Sequence, residues 1–413
     1  MRILSGKAAA ACVRKLARRG LRYAEVEPVV RRILEDVRTR GDRALRKYAK
    51  RWDGLAPSVP LRVPQKDIDS ACRSASSDLK ASLQTAAKNI SAYCQAQKPS
   101  DWRTARDGVR LGQIIRPLDS VGCYVPGGRY PLISTLLMTV IPAQIARVEK
   151  ILVVSPQPLP ELLAAAAMLG ITEVYRVGGA QAIAALAYGT ENIPRVDKIV
   201  GPGNVYVTAA KKLVAFDCAI DFLAGPTEVV IVSDSGRPEF IAADLVAQAE
   251  HDPDAVAIFI TARRSLADCV AESVESLSRD NPVARRSLRR QGAILQSAST
   301  QQSFDWANEI APEHITVDEK DLGLVRNAGS IFVGDYSPQA AGDYASGPNH
   351  VLPTGGAARF RGGLSVLDFV KIISVQQLSR TGLKRIAPAV LSLARTEGLR
   401  AHAESVALRC NHA

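Results

Sequence analysis

Aromatic residues make up only 5% of this 413-residue chain, and there are just five histidines. No apolar run approaches the roughly 18 residues of a membrane span, so no transmembrane segment is expected. The N-terminal stretch MRILSGKAAAACVRKLARRG lacks a clean signal-peptide core, because Lys7, Arg14 and Lys15 interrupt it. Glu25 and Glu27 follow too soon for a transit peptide, so a cytoplasmic protein is expected. The seven cysteines (Cys12, Cys72, Cys94, Cys123, Cys218, Cys269 and Cys410) are odd in number and form no CxxC pair. That argues against a disulfide framework and against a cysteine zinc site. Also missing are a GxGxxG after a strand and a GxxxxGK[ST] loop, the standard dinucleotide and Walker fingerprints. The net charge of +12 invites a nucleic-acid reading. Its clusters (RKLARR, RRSLRR, KK) carry no interleaved aromatics, however. Solvated helix faces and a field favouring an anionic cofactor explain them, and no nucleic-acid partner is expected.

The chain is too long for one ordinary core. Residues 26–50 and 66–96 show helical spacing, joined by a Pro-containing loop near 55–64. From about residue 112 the texture changes to short β-rich runs: GQIIRPL, KILVVS, EVYRVGG, DKIVGPG, EVVIVSD, AVAIFIT, HITVD and GSIFVG. Runs apolar on both faces and separated by helices predict parallel strands between helix layers. They fall into two series, about 120–225 and 228–335. The predicted fold class is α/β: two tandem, incomplete Rossmann-like βαβ units with parallel sheets, a helical N-terminal part and a helical C-terminal tail.

Four of the histidines sit among other chemically capable residues. In DLVAQAEHDPDA, Gln248 and His251 are three apart at a helix end, on one face where they could share a metal ion. An ordinary polar helix end, with His251 near the C-terminal dipole, explains the same spacing. Adjacent Glu313 and His314 in NEIAPEHITVD suit proton transfer, although such dipeptides are common on surfaces. GDYASGPNHVLPTGG places Asp343, Tyr344, Asn349 and His350 in a turn-rich loop of the kind that carries function. RTEGLRAHAESVALR reads as a helix bearing Glu397 and His402, whose spacing of five shares no ideal face. His412 reads as a terminal surface residue. Glycine-rich turns at YVPGGRYP, VGGAQAIAALA and VGPGNVYV lead from strands into helices, where backbone N–H groups can hold phosphate. Cys123 invites a thiol-nucleophile reading, but nothing cationic adjoins it in sequence to form a thiolate, so packing is expected.

Taken together, VPGGRYPLISTLLMTVIPAQIA, GGAQAIAALAYGT, VGPGNVYVTAAKK, FLAGPTEVVIVSD, AQAEHDPDA, APEHITV, GDYASGPNHVLPT and EGLRAH closely resemble the histidinol dehydrogenase family, in order along nearly the whole chain. The resemblance implies a zinc-dependent, NAD-linked four-electron oxidation of L-histidinol through L-histidinal to L-histidine, in histidine biosynthesis. It implies one zinc per site on Gln248, His251, Asp343 and His402, the last supplied by the partner of a homodimer. Glu313 and His314 are then the catalytic acid–base residues. Substrate contacts fall to Ser134, Thr227, Gln248, His251, His314, Asp343, Tyr344, His350, Glu397 and His402. NAD contacts fall to Tyr124, Gln181 and Asn204. Thr227 departs from the serine usual in the family's AGPSE motif; it keeps the hydroxyl and adds a methyl group. The expected units are an N-terminal helical segment (1–20), a larger α/β domain (21–123 plus 229–364), a second Rossmann-like domain with the NAD contacts (124–228) and a helical tail (365–413) reaching the partner's site. Two alternatives stand beside this reading. One is a paralogue acting on another small polar alcohol, such as a sulfonated diol. The other is a zinc or nucleic-acid binder that has lost catalysis.

Overall fold

The apolar runs form strands buried on both faces. Glu228–Val232 and Val256–Thr261 are buried at every residue, the pattern of a central parallel strand covered by helices on each side. The computed structural model describes residues 1–20, 23–127 and 132–411; His412 and residues 128–131 of the YVPGGRYP turn lie outside them.

Two parallel sheets repeat one winding. In the larger, Glu228–Val232 lies centrally, with Val256–Thr261 and Ala293–Gln296 on one side and His314–Val317 and Ser330–Val333 on the other. In the smaller, Ser120–Tyr124 is central, flanked by Lys150–Ser155 and Val174–Arg176 on one side and Lys198–Val200 and Ala219–Ile220 on the other. The two βαβ series expected from the sequence are therefore present, and each reverses direction beside its first strand. On one face of the larger sheet, helices Gly6–Ala17 and Thr300–Ile310 contribute Ala9, Val13, Phe304 and Ile310 to the core. On the other, helix Pro238–Glu250 packs Ile241 and Leu245.

Four elements depart from the sequence reading. Arg2–Ser5 is a strand that extends the larger sheet beyond Ala293–Gln296, where a helical start was expected. GQIIRPL is not a parallel strand: it lies in Val109–Pro117, the middle of a three-stranded antiparallel sheet with Trp102–Arg106 and Val370–Leu378. The tail is accordingly not all helix, because Val370–Leu378 pairs along its whole length with Val109–Pro117 before helices Arg380–Thr396 and Arg400–Asn411. Gly398, at φ +78°, breaks the single helix expected to carry both Glu397 and His402. Residues 27–97 pack on the smaller sheet's unit. Helix Glu27–Trp52 lies against Gly179–Tyr188, and helix Ser77–Gln97 against Ile133–Ala146. No helix among the described residues is long and apolar enough to cross a membrane.

Candidate active site

A doubly wound sheet offers its ligand crevice at the carboxyl ends of the strands flanking the reversal point. In the smaller sheet this crevice is open. A cavity of about 480 Å³ there is lined by Trp52, Asp53, Tyr124, Gln181, Asn204 and Tyr206. The three expected NAD contacts thus share one pocket. Gly201 makes the turn after Lys198–Val200 possible: its φ is +114°, and a Cβ there would stand 2.2 Å from the Tyr124 carbonyl oxygen. Asn204 then caps helix Val205–Val214, its Oδ1 accepting from the N–H groups of Tyr206 (3.0 Å) and Val207 (3.2 Å). The Tyr124 hydroxyl accepts from Gly179 N–H at 3.1 Å, and burial pushes its pKa up to about 12.

Gln181 is the informative side chain. Its Nε2 donates to Asp53 Oδ2 at 3.2 Å, and Gly178 N–H donates to the same oxygen at 3.1 Å. Its Oε1 is buried with no partner among the described residues. A buried orphan acceptor is costly unless a ligand supplies the donor. Amide and ribose hydroxyl groups of a nucleotide are such donors, so the residues fit NAD. Asp53 gave no sequence signal: it closes a helix 71 residues before the nearest motif of the turn region, and only the fold brings it here.

In the larger sheet the equivalent crevice is shut. Ser233 and Ser235 donate across the reversal point to Asp318, both at 2.8 Å, while Asp234 accepts from Thr261, Ala262 N–H and Thr300. The Glu313–His314 pair lies at the opposite, amino edge. Glu313 and His314 enter strand His314–Val317 beside Glu228, the first residue of the central strand. Glu313 Oε2 accepts from the Thr227 hydroxyl (2.6 Å) and from Glu228 N–H (2.8 Å). Burial drives its carboxyl well above the usual range, against the pull of those two bonds. His314 Nδ1 lies 3.1 Å from the Glu228 carbonyl oxygen. A carbonyl only accepts, so Nδ1 carries the proton and the neutral ring's lone pair sits on Nε2. Burial lowers the His314 pKa, with Asp343 opposing.

His314 Nε2 lies 3.9 Å from Asp343 Oδ1. His350 Nδ1 donates to the Asp343 carbonyl oxygen at 2.7 Å, and its Nε2 accepts from Thr135 at 3.4 Å. His251, although exposed, lies near both His314 and His350. Gln248 is buried and spends its Nε2 on Thr227, while its Oε1 has no hydrogen-bond partner among the described residues. Ser134 is half-buried in the first turn of helix Ile133–Ala146, next to Thr135, and Tyr344 is exposed. Gln248, His251 and Asp343 therefore offer nitrogen and oxygen donors that fit zinc. His402 and Glu397 lie exposed on the C-terminal helices, and among the described residues no three of His, Cys, Asp and Glu converge on a metal position. Cys123 is fully buried and its thiol pKa is pushed up to about 12, as for a packed side chain.

The family described as histidinol dehydrogenase matches residues 16–410. The histidinol dehydrogenase of Methanothermobacter thermautotrophicus is 49% identical over 388 residues, covering 90% of this chain and 91% of its own. The chain belongs to the histidinol dehydrogenase family. The Thermus thermophilus member is 46% identical over 405 residues, covering 96% and 97%. A crystal structure of histidinol dehydrogenase from Elizabethkingia anophelis superposes with a TM-score of 0.94 at 36% identity, covering 99% of this chain and 98% of the other. Membership makes the chain an oxidoreductase of histidine biosynthesis with a mixed α/β fold. A substrate outside that family finds no support among these relatives.

Proposed function

We propose that the chain oxidises L-histidinol through L-histidinal to L-histidine, reducing two NAD molecules in turn. The observation that carries this reading is the pairing of Glu313 and His314 on the main chain of Glu228, with His314 Nε2 3.9 Å from Asp343 Oδ1. His314 Nε2 takes the hydroxyl proton as the alcohol loses hydride. Glu313, buried and raised in pKa, takes a proton from the water that adds to the aldehyde. Ser134, Thr227, Tyr344 and His350 orient the substrate with them. When bound, NAD supplies the hydride acceptor and zinc a Lewis acid for the substrate's nitrogen and oxygen atoms. Tyr124, Gln181 and Asn204 hold the nucleotide; Gln248, His251 and Asp343 hold the metal.

The fourth ligand, His402, and the substrate contact Glu397 come from the partner of a homodimer. Supporting this, the C-terminal helices leave Leu393, Leu399 and Leu408 exposed on their own chain. A cytoplasmic setting agrees with seven unpaired cysteines, and cell fractionation would check it. The decisive assay measures NADH formed from L-histidinol before and after chelation. Two NADH per histidinol, lost on chelation and restored by zinc, support the reading. NADH formation unaffected by chelation refutes the metal, and none from histidinol refutes the substrate.

A further inference from the structure

We propose that Arg19 is a positioning residue for this oxidation: one guanidinium sets both catalytic side chains through the main chain of Glu228. The inference rests on the proposed roles of Glu313 and His314.

Glu228 holds the pair with its backbone alone. Its N–H donates to Glu313 Oε2 at 2.8 Å and its carbonyl accepts from His314 Nδ1 at 3.1 Å. Any shift of the main chain at Glu228 moves both residues at once. The Glu228 side chain does something else: only 4% exposed, it receives Arg19 Nε on one carboxylate oxygen and Arg19 Nη2 on the other. Gly355 N–H adds a bond to Oε1 at 3.1 Å. A planar fork meeting a carboxylate in two parallel bonds fixes orientation as well as distance.

The remaining nitrogen of the fork completes the device. Arg19 Nη1 donates to the Ile310 carbonyl oxygen at 3.0 Å and to the Leu16 carbonyl oxygen. Ile310 ends helix Thr300–Ile310, three residues before Glu313. One rigid group therefore bridges the start of the central strand and the end of the helix that delivers the catalytic pair. A buried ion pair is a weak source of stability, since apolar replacements often do as well. What it adds here is a fixed spacing between the two segments. Lysine, a point charge on a flexible stem, could keep the attraction but not the three-way geometry. Arg19 and Glu228 also line a cavity of about 1060 Å³, which leaves room for a small cation to enter if the side chain is removed.

The test compares Arg19→Lys and Arg19→Ala with the wild type as intact, zinc-loaded enzyme, with Glu313→Gln and His314→Gln as controls. Histidinol and histidinal oxidation are followed separately, and zinc content and circular dichroism are recorded for each variant. A misplacement of about 1 Å at a reacting group costs on the order of a hundredfold, so kcat should fall about tenfold to a hundredfold in both oxidations. KM for histidinol and zinc content should stay near wild type. Added guanidinium ion should raise kcat of Arg19→Ala and leave Arg19→Lys unchanged. Inactive controls beside an Arg19→Lys enzyme of near-normal kcat would overturn the positioning role alone. Active controls would overturn the reading of the catalytic pair and this inference with it. Failure of both Arg19 variants to fold, or a loss confined to KM, would make the contact structural and likewise overturn it.

Discussion

Thr227 joins two parts of the site, and removing its hydroxyl while keeping its shape is the sharpest perturbation available. The hydroxyl donates to Glu313 Oε2 at 2.6 Å and accepts from Gln248 Nε2. Thr227→Val is close in volume and loses both bonds. A hydrogen bond to a charged, buried acceptor contributes about 1.5–3 kcal/mol, and each 1.36 kcal/mol is tenfold in rate. Oxidation of histidinal, which needs the Glu313 carboxylate, should therefore slow by about tenfold to a hundredfold. The sign of the pH effect also follows. Thr227 lowers the Glu313 pKa against the larger, opposite effect of burial, so losing the hydroxyl raises an already raised value. The carboxylate then forms at higher pH, and the acid limb of histidinal oxidation moves upward. Thr227→Ser keeps the hydroxyl and should keep both rate and profile. Steady-state kinetics from pH 5 to 10, with zinc content measured alongside, read these changes. A Thr227→Val enzyme with full zinc, an unmoved acid limb and a rate within about threefold of wild type would refute the reasoning, since that lies below the effect of one such bond.

Gln181→Leu removes the orphan acceptor and the bond to Asp53; KM for NAD should rise about tenfold, the worth of roughly one hydrogen bond, with zinc content unchanged. An unaltered KM for NAD would move the nucleotide elsewhere. Half-buried Asp244, one helical turn before Gln248, has a pKa raised to about 6 by burial. The folded state therefore retains its proton above the ordinary carboxylate range, and stability is lost as pH rises through about 6. Discounted for its remaining exposure, Asp244→Asn should stabilise by about 1–2 kcal/mol at pH 7.5 and by nothing at pH 4, as urea unfolding would report. An equal gain at both pH values would rule out the titration as its source. Mixing inactive His402→Ala and Glu313→Gln chains should restore activity in hybrid dimers, because one site in each hybrid then has its full complement; mixtures that stay silent would place His402 outside the partner's site.

The parts of the fold written in repeating apolar runs were legible in the sequence. KILVVS and AVAIFIT announce buried parallel strands because nothing else accommodates β-branched residues on both faces. Val370–Leu378 escaped because it is exposed along most of its length, so no burial period marks it, and its partner strand lies some 260 residues earlier. Glu313 and His314 could be proposed as a pair because they are adjacent in sequence. Arg19, Asp53 and Glu228 could not, because each acts through a contact more than 80 residues away: the Arg19–Glu228 bond spans 209 positions and the Asp53–Gln181 bond 128. Gln181 was picked out, but its unpaired oxygen is visible only in three dimensions.

The shut crevice of the larger sheet has a bearing on how such an enzyme could change. On the proposed reading, two halves with the same winding divide the labour: one would offer its carboxyl edge to a nucleotide, and the other, whose carboxyl edge is closed by hydrogen bonds to Asp234 and Asp318, would work from its opposite rim. Changes aimed at the cofactor and changes aimed at the Glu313–His314 pair would therefore fall mostly on different sheets. Substitutions that share no partners tend to combine additively. A lineage, or an engineer, could retune one half while the other holds still.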